Sequence, residues 1–169
     1  MIILETPRLI LREATIADAE FMLALLNSPG WLKYIGDRNV HSTAEAAAYL
    51  ENGAIKSYKE NGFGLYTVVE KNSQKCIGSC GFIKRPELEL PDLGFAFLPD
   101  YLGKGYGYEA ANACIDFAKN KLKINELLAI VNPENEPSNG LLVKLGFKLL
   151  KKEVVYENGT ELNIYKIGI

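Results

Sequence analysis

Phe95-Ala96-Phe97-Leu98-Pro99-Asp100-Tyr101-Leu102-Gly103-Lys104-Gly105-Tyr106-Gly107-Tyr108 is the stretch whose reading decides the fold. A strand-like run ends at Leu98, a loop places glycine at three alternate positions, and a helical pattern opens at Gly107. Glycine lets the backbone take positive φ and approach a ligand closely. The unpaired amides of the next helical turn, together with the helix dipole, favour an anion such as a phosphate, and Lys104 can add a cation. Three readings compete: a ligand-free strand-to-helix turn, a nucleotide loop of familiar type, and a cradle for the pyrophosphate of coenzyme A. Spacing speaks against the second. A P-loop needs Ser or Thr after Gly-Lys, where this chain has Gly105. A dinucleotide loop needs a further glycine three places after Gly105, and Tyr108 stands there.

Outward from the loop the periodicities predict alternating elements. Before it lie a strand at Leu9–Arg12, a helix from Ile16 to Asn27 capped by Thr15 with Asp18 in the capping box, and a stop at Ser28-Pro29-Gly30. Trp31–His41 reads as irregular. Ser42, with Glu45 three places on, opens a second helix to about Glu60. Leu65–Val69 and Ile77–Ile83 read as strands about a turn at Lys71-Asn72-Ser73, and Leu93–Leu98 as the fourth strand. After the loop come a helix from Gly107 to about Leu122, an all-apolar strand at Leu127–Val131, and a short helix at Ser138–Leu145 ending on Gly146. Two strands, Leu149–Tyr156 and Glu161–Ile167, flank the hairpin signal Asn158-Gly159. The order β-α-α-β-β-β-α-β-α-β-β predicts one α/β domain over residues 1–169, with a mixed sheet of about seven strands and helices on both faces.

Bulk properties narrow the function. The 169 residues, 48% of them hydrophobic, suit a single domain that buries its core without a disulfide or metal staple. A net charge of -2, with both signs interspersed, excludes the basic stripe of a nucleic-acid binder. Cys76, Cys80 and Cys114 share the chain with a single histidine, His41, so a zinc ligand set is lacking and buried, reduced thiols are expected. No apolar run approaches the ~18 residues of a membrane span. With no signal-peptide pattern at the N-terminus, a cytoplasmic protein with no membrane partner is expected.

The loop resembles the motif of the GNAT acetyltransferases, where Gln or Arg is followed by x-x-Gly-x-Gly or Ala. The nearest branch includes the ribosomal-protein N-terminal acetyltransferases. Further signatures are the opening Leu4-Glu5-Thr6-Pro7-Arg8-Leu9-Ile10-Leu11-Arg12, Leu93-Gly94-Phe95, Glu109-Ala110, Asn135-x-x-Ser138 and Lys144-Leu145-Gly146-Phe147. Together they span nearly the whole chain. The resemblance implies an acetyl-CoA-dependent enzyme without a metal. It would pass an acetyl group directly to a primary amine of a small molecule or to a protein N-terminus. Homodimers are common in this branch.

The resemblance also implies roles for particular residues. The fourth and fifth strands would splay, with the pantetheine arm between them bonded by backbone groups near Phe97 and Leu98. Leu102, Gly103, Lys104, Gly105, Tyr106, Gly107 and Tyr108 would form the coenzyme loop, although Leu102 replaces the usual Gln, Arg or Trp. Asn135 would reach the pantetheine or thioester end, and Ser138 would protonate the leaving thiolate. As plain residues, both also suit a helix cap. Asp92 would accept the amine's proton through water; otherwise it is an exposed strand-start residue. Leu142 stands where many members carry the acid tyrosine. That departure keeps open a second reading, a non-catalytic sensor of acyl-CoA. A kinase or dehydrogenase is disfavoured by the two failed spacings. On the acceptor side, Trp31, Tyr34 and the carboxylates Glu87, Glu89 and Asp92 would frame a pocket that attracts a cationic amine. A solvated loop and structural aromatics are the bland alternative.

Overall fold

One eight-stranded sheet carries every helix of the chain, in the order β1-β2-β3-β4-β5-β6-β8-β7. In a computed structural model describing residues 1–169, its strands are β1 (Ile2–Glu5), β2 (Leu9–Glu13), β3 (Leu65–Glu70), β4 (Cys76–Ile83), β5 (Asp92–Phe97), β6 (Glu126–Val131), β7 (Lys148–Val154) and β8 (Glu161–Gly168). Neighbours are antiparallel except β5 and β6. Alternation along the strands sends Leu9, Leu11, Tyr66, Val68, Phe82 and Phe97 to one face, where they pack on Ala110, Ala111 and Cys114 of helix α5 (Tyr106–Phe117). The opposite face is covered by α1 (Ala19–Leu26), α2 (Pro29–Tyr34), α3 (Thr43–Leu50) and α4 (Lys56–Asn61), whose Met22, Leu25, Leu26 and Leu50 meet Ala96 and Leu98 of the sheet. Helix α6 (Glu136–Lys144) follows β6, and its buried Leu142 joins the α5-side core. No helix is long and apolar enough to cross a membrane.

The structure corrects several element boundaries. An eighth strand, β1, precedes the expected first one, because Thr6 turns the chain back and Ile2–Glu5 pairs with β2. The segment from Trp31 is not wholly irregular. Ser28 takes an extended conformation and Pro29 occupies the first helical turn, so Ser28-Pro29-Gly30 ends one helix and starts another. Ser42 caps α3 through a bond from the Glu45 amide, while the Glu45 carboxylate reaches back to the His41 amide at 2.7 Å. That helix continues through a π-helical stretch at Glu51–Ile55 into α4. Helix α6 begins at Glu136, so Ser138 lies inside its first turn rather than at its cap. Cys80 and Cys114 are buried free thiols with sulfurs 3.7 Å apart across the β4–α5 contact.

Beneath the helical layer lies one charged pair. Arg12 on β2 donates two bonds to Asp18, at 2.8 and 2.7 Å, and Asp18 also accepts from the Thr15 amide and the Thr67 hydroxyl. Burial alone pushes the Asp18 carboxyl up, but these hydrogen bonds and the Arg12 charge outweigh it and hold the group below the ordinary aspartate range. Its stabilisation is therefore present above the unfolded-state value and lost as pH falls through the folded one. Asp18→Asn should cost about 3 kcal/mol, the low end for a broken buried pair, since Arg12 is 29% exposed. In a melting experiment that is a drop of roughly 6–12 °C. A midpoint equal to the parent's would show that the pair does not brace α1 against β2.

Candidate functional site

A single bridge holds β5 to β6: Asp92 pairs with Leu128, supported by the Leu128 amide donating to the Pro91 carbonyl at 3.1 Å. Beyond that point the strands part, while β6 pairs along its whole length with β8 on its other edge. The β4 side of β5 stays closed, and the Leu98 amide donates to the Ile77 carbonyl at 2.9 Å. Successive residues of a strand direct their polar groups to opposite edges. Phe95 and Phe97 therefore present amide and carbonyl to the open gap, whereas Leu98 does not; of the pair expected to bond a ligand, only Phe97 is placed to do so. The gap is part of a cleft of about 670 Å³, lined by Phe95 and Ala96 on one strand and Ala129 and Val131 on the other. It continues under the helical layer to Trp31, Tyr34 and Tyr49.

Past the open end of the gap, β5 runs through a 3-10 turn at Pro99–Tyr101 into the glycine loop. Leu102 is extended and 59% exposed. Gly105 is the N-cap of α5 at φ 81, a left-handed conformation that costs a residue with a side chain about 1–2 kcal/mol. Gly107 sits close to its neighbours: a Cβ there would lie 3.2 Å from the Leu141 side chain of α6 and 3.8 Å from the Phe97 ring. The amides of Tyr106, Gly107 and Tyr108 belong to the first helical turn and have no partner within the helix. Lys104 stands 5.8 Å from the Tyr101 ring. Free amides in this position, at the carboxyl end of a strand, can take an anion.

Asp92 is not an exposed strand-start residue: it is 1% exposed and sits at the foot of the gap. Burial raises its carboxyl pKa, while Arg85, with Nε 2.8 Å away, opposes the rise. Arg85 in turn donates to the Tyr156 hydroxyl at 2.6 Å, tying the β7–β8 loop to the foot of the gap. Sequence reasoning missed Arg85 and Tyr156, which lie 7 and 64 positions from Asp92 and carry no motif. Glu87 and Glu89 do not line the cleft. Its carboxylates are Asp92 and Glu60, each facing a cation, and its other charged groups include Lys33, Arg38 and Lys84. Glu87 and Glu89 are exposed, as in the solvated-loop alternative, while Trp31, Tyr34 and Asp92 do line the cleft.

Across the gap, Asn135 caps α6 by accepting the Ser138 amide at 3.3 Å. Both residues line the cleft. The turn bearing them is braced by Asn139, whose Nδ2 donates to the carbonyls of Asn132 and Asn135 at 3.0 and 2.7 Å. Its Oδ1 accepts from Asn163 and from the Tyr165 hydroxyl on β8, at 2.9 and 2.8 Å. Asn139 was not singled out in the sequence, because an asparagine inside a helix reads as surface.

The site thus consists of a sheet splayed at a parallel pair, with free helix amides beyond its open end. The sequence profile of the acetyltransferase (GNAT) domain matches residues 8–148. The chain thus belongs to the GNAT acetyltransferase family, and as such is an acetyl-CoA-dependent N-acetyltransferase. It is 28% identical over 170 residues to YoaA of Bacillus subtilis, described as an uncharacterized N-acetyltransferase, covering 98% of this chain and 96% of that one. It is 30% identical over 102 residues to the ribosomal protein uS5-alanine N-acetyltransferase of Escherichia coli, covering 57% and 51% of the two chains. In fold it is similar to RimL, a ribosomal L7/L12 α-N-protein acetyltransferase solved with coenzyme A, at a TM-score of 0.85 and 19% identity over 100% of this chain and 98% of that one. An acetyltransferase from Agrobacterium tumefaciens gives 0.83 at 23% identity, covering 98% and 94%.

Asn139→Leu removes the brace while keeping the volume. It should cost roughly 1–3 kcal/mol: the Asn132 and Asn135 carbonyls keep one backbone donor each but lose a second, and the Asn163 amide and Tyr165 hydroxyl lose their acceptor. Amide exchange at Asn135–Ser138 should quicken more than in α5; equal protection in both helices would remove Asn139 as the brace.

Proposed function

We propose that the pantetheine arm of acetyl-CoA lies in the β5–β6 gap and that the acetyl group passes directly to a primary amine entering from beneath α2 and α3. The observation that carries this reading is the ladder that closes at Asp92 and Leu128 and leaves the Phe95 and Phe97 edge of β5 open. The pyrophosphate takes the amides of the Gly103–Tyr108 loop, and Phe97 bonds the arm and polarises the thioester oxygen. Asn135, with its Oδ1 already committed to the cap, offers its amide protons to a pantetheine carbonyl. Asp92 receives the amine's proton, directly or through water, as the nitrogen attacks the thioester carbon. The tetrahedral intermediate collapses with rupture of the C–S bond, and the Ser138 hydroxyl protonates the thiolate. Leu142 is 2% exposed and has no proton to give, which supports assigning the acid to Ser138.

The acceptor is a small-molecule amine or a peptide N-terminus. Cations around the cleft favour the neutral, nucleophilic form of that amine, since a second positive charge nearby is unfavourable. Alignment of two bound substrates can supply about 7–11 kcal/mol, so the two proton carriers need only modest individual contributions.

An amine panel assayed for thiol release tests the reading. Asp92→Asn should lower kcat about a hundredfold or more with acetyl-CoA affinity kept. The active form of Asp92 is the carboxylate, so activity should fall on the acid side. Arg85→Met removes the group that holds this pKa down, so the acid limb should move to higher pH. Full turnover in both Asp92→Asn and Ser138→Ala would remove these residues from the mechanism. Acetyl-CoA binding with no product from any amine would favour the sensor reading instead.

A further inference from the structure

The N-terminal turn Thr6-Pro7-Arg8 is fastened to the start of α5 by one carboxylate. Glu109 Oε1 accepts from the Thr6 hydroxyl at 2.6 Å and from the Arg8 amide at 2.9 Å, and Oε2 accepts from Arg8 Nε at 2.6 Å. Three donors from residues a hundred positions away converge on a side chain only 16% exposed. The guanidinium of Arg8 then lies 4.3 Å from the centroid of the Tyr106 ring, and the Tyr106 hydroxyl donates to Glu70 at the end of β3.

This arrangement leaves Arg8 Nη1 facing the glycine loop, where it donates to the Lys104 carbonyl at 2.9 Å. The Nη2 atom is equally close, 3.3 Å from where a Cβ on Gly105 would stand. A trans peptide is planar, with its C=O and the next N–H on opposite sides. Holding the Lys104 carbonyl toward Arg8 therefore turns the Gly105 amide to the opposite side of the loop. Glycine stands at 103 and 105, both at positive φ, so neither position has a side chain to fix that orientation.

We propose that Arg8 is a positioning residue for coenzyme A: clamped by Glu109, it holds the Lys104–Gly105 peptide so that the Gly105 amide is presented to the pyrophosphate before the ligand arrives. The proposal rests on the assignment of the loop to coenzyme A. Its effect is on affinity rather than chemistry, because Arg8 lies on the outer side of the loop and does not line the reaction cleft. Preorganisation of this kind lowers the ordering cost of binding. Two families of donor explain the Thr6-x-Arg8 spacing: one residue supplies a hydroxyl, and two places on the other supplies an amide and a forked cation to the same carboxylate. Lysine cannot replace that fork, since a single ammonium does not bond Glu109 and the Lys104 carbonyl in the same geometry.

Calorimetric titration of acetyl-CoA into the parent, Arg8→Met, Arg8→Lys and Glu109→Gln proteins, well below each apo melting midpoint, is the test. Arg8→Met should weaken acetyl-CoA roughly tenfold or more, the loss of one charged hydrogen bond. Arg8→Lys should keep most of the melting midpoint yet recover little of the affinity, which a purely structural role would not predict. Glu109→Gln should lie between. Parent-like affinity in Arg8→Met and Arg8→Lys would overturn the proposal while leaving the loop assignment intact. No binding by the parent protein itself would overturn both.

Discussion

The bifurcation of the sheet at Asp92 and Leu128 is the constraint on which the rest depends. β6 keeps a full ladder with β8 on one edge and only a single bridge to β5 on the other. The last strand, β8, lies between β6 and β7, on the edge of β6 away from the slot. That topology supplies β6 with enough backbone partners to stand away from β5. An open strand edge is normally a liability. Here it is shielded by α5 and α6 on one side and the helical layer on the other, which suits a ligand that supplies the missing strand-like contacts.

Two polar clusters work at the ends of that slot. At the closed end, Arg85 and Tyr156 surround a buried carboxylate whose protonation depends on the balance between desolvation and one guanidinium. At the open end, Glu109 gathers the N-terminal turn onto the helix that heads the glycine loop. Both clusters join segments distant in sequence, and both use arginine, whose fork bonds two partners at fixed angles. The chemistry of the site thus depends on contacts made by residues that never touch the reacting atoms.

Much of the fold was legible because it rests on local patterns. The glycine loop, the Gly146 terminus and the hairpin around Asn158-Gly159 each carry a conformational signal within a few residues, and the structure has them in place. Boundaries failed where a residue served two elements, as when Ser28 and Pro29 closed one helix and opened the next. β1 was missed because a four-residue strand beside a turn has too little periodicity to register. At the site, glycines and cap residues could be found by motif. The Arg85–Asp92–Tyr156 and Arg8–Glu109 clusters could not, because long-range pairing between charged residues leaves no period in the sequence. Of the two readings of the carboxylates before β5, the solvated loop fits Glu87 and Glu89, which sit close to Asp92 in the chain yet do not line the cleft.

Thermal unfolding with and without acetyl-CoA, beside ATP and NAD as controls, addresses the central claim most directly. At a ligand concentration a hundredfold above Kd, binding adds about 2.7 kcal/mol of stability. For a domain of this size, the melting midpoint should rise by roughly 5–10 °C with acetyl-CoA and by nothing of that size with ATP or NAD. An unchanged midpoint at millimolar acetyl-CoA, or an equal rise with all three ligands, would contradict the assignment of the glycine loop and the slot to coenzyme A.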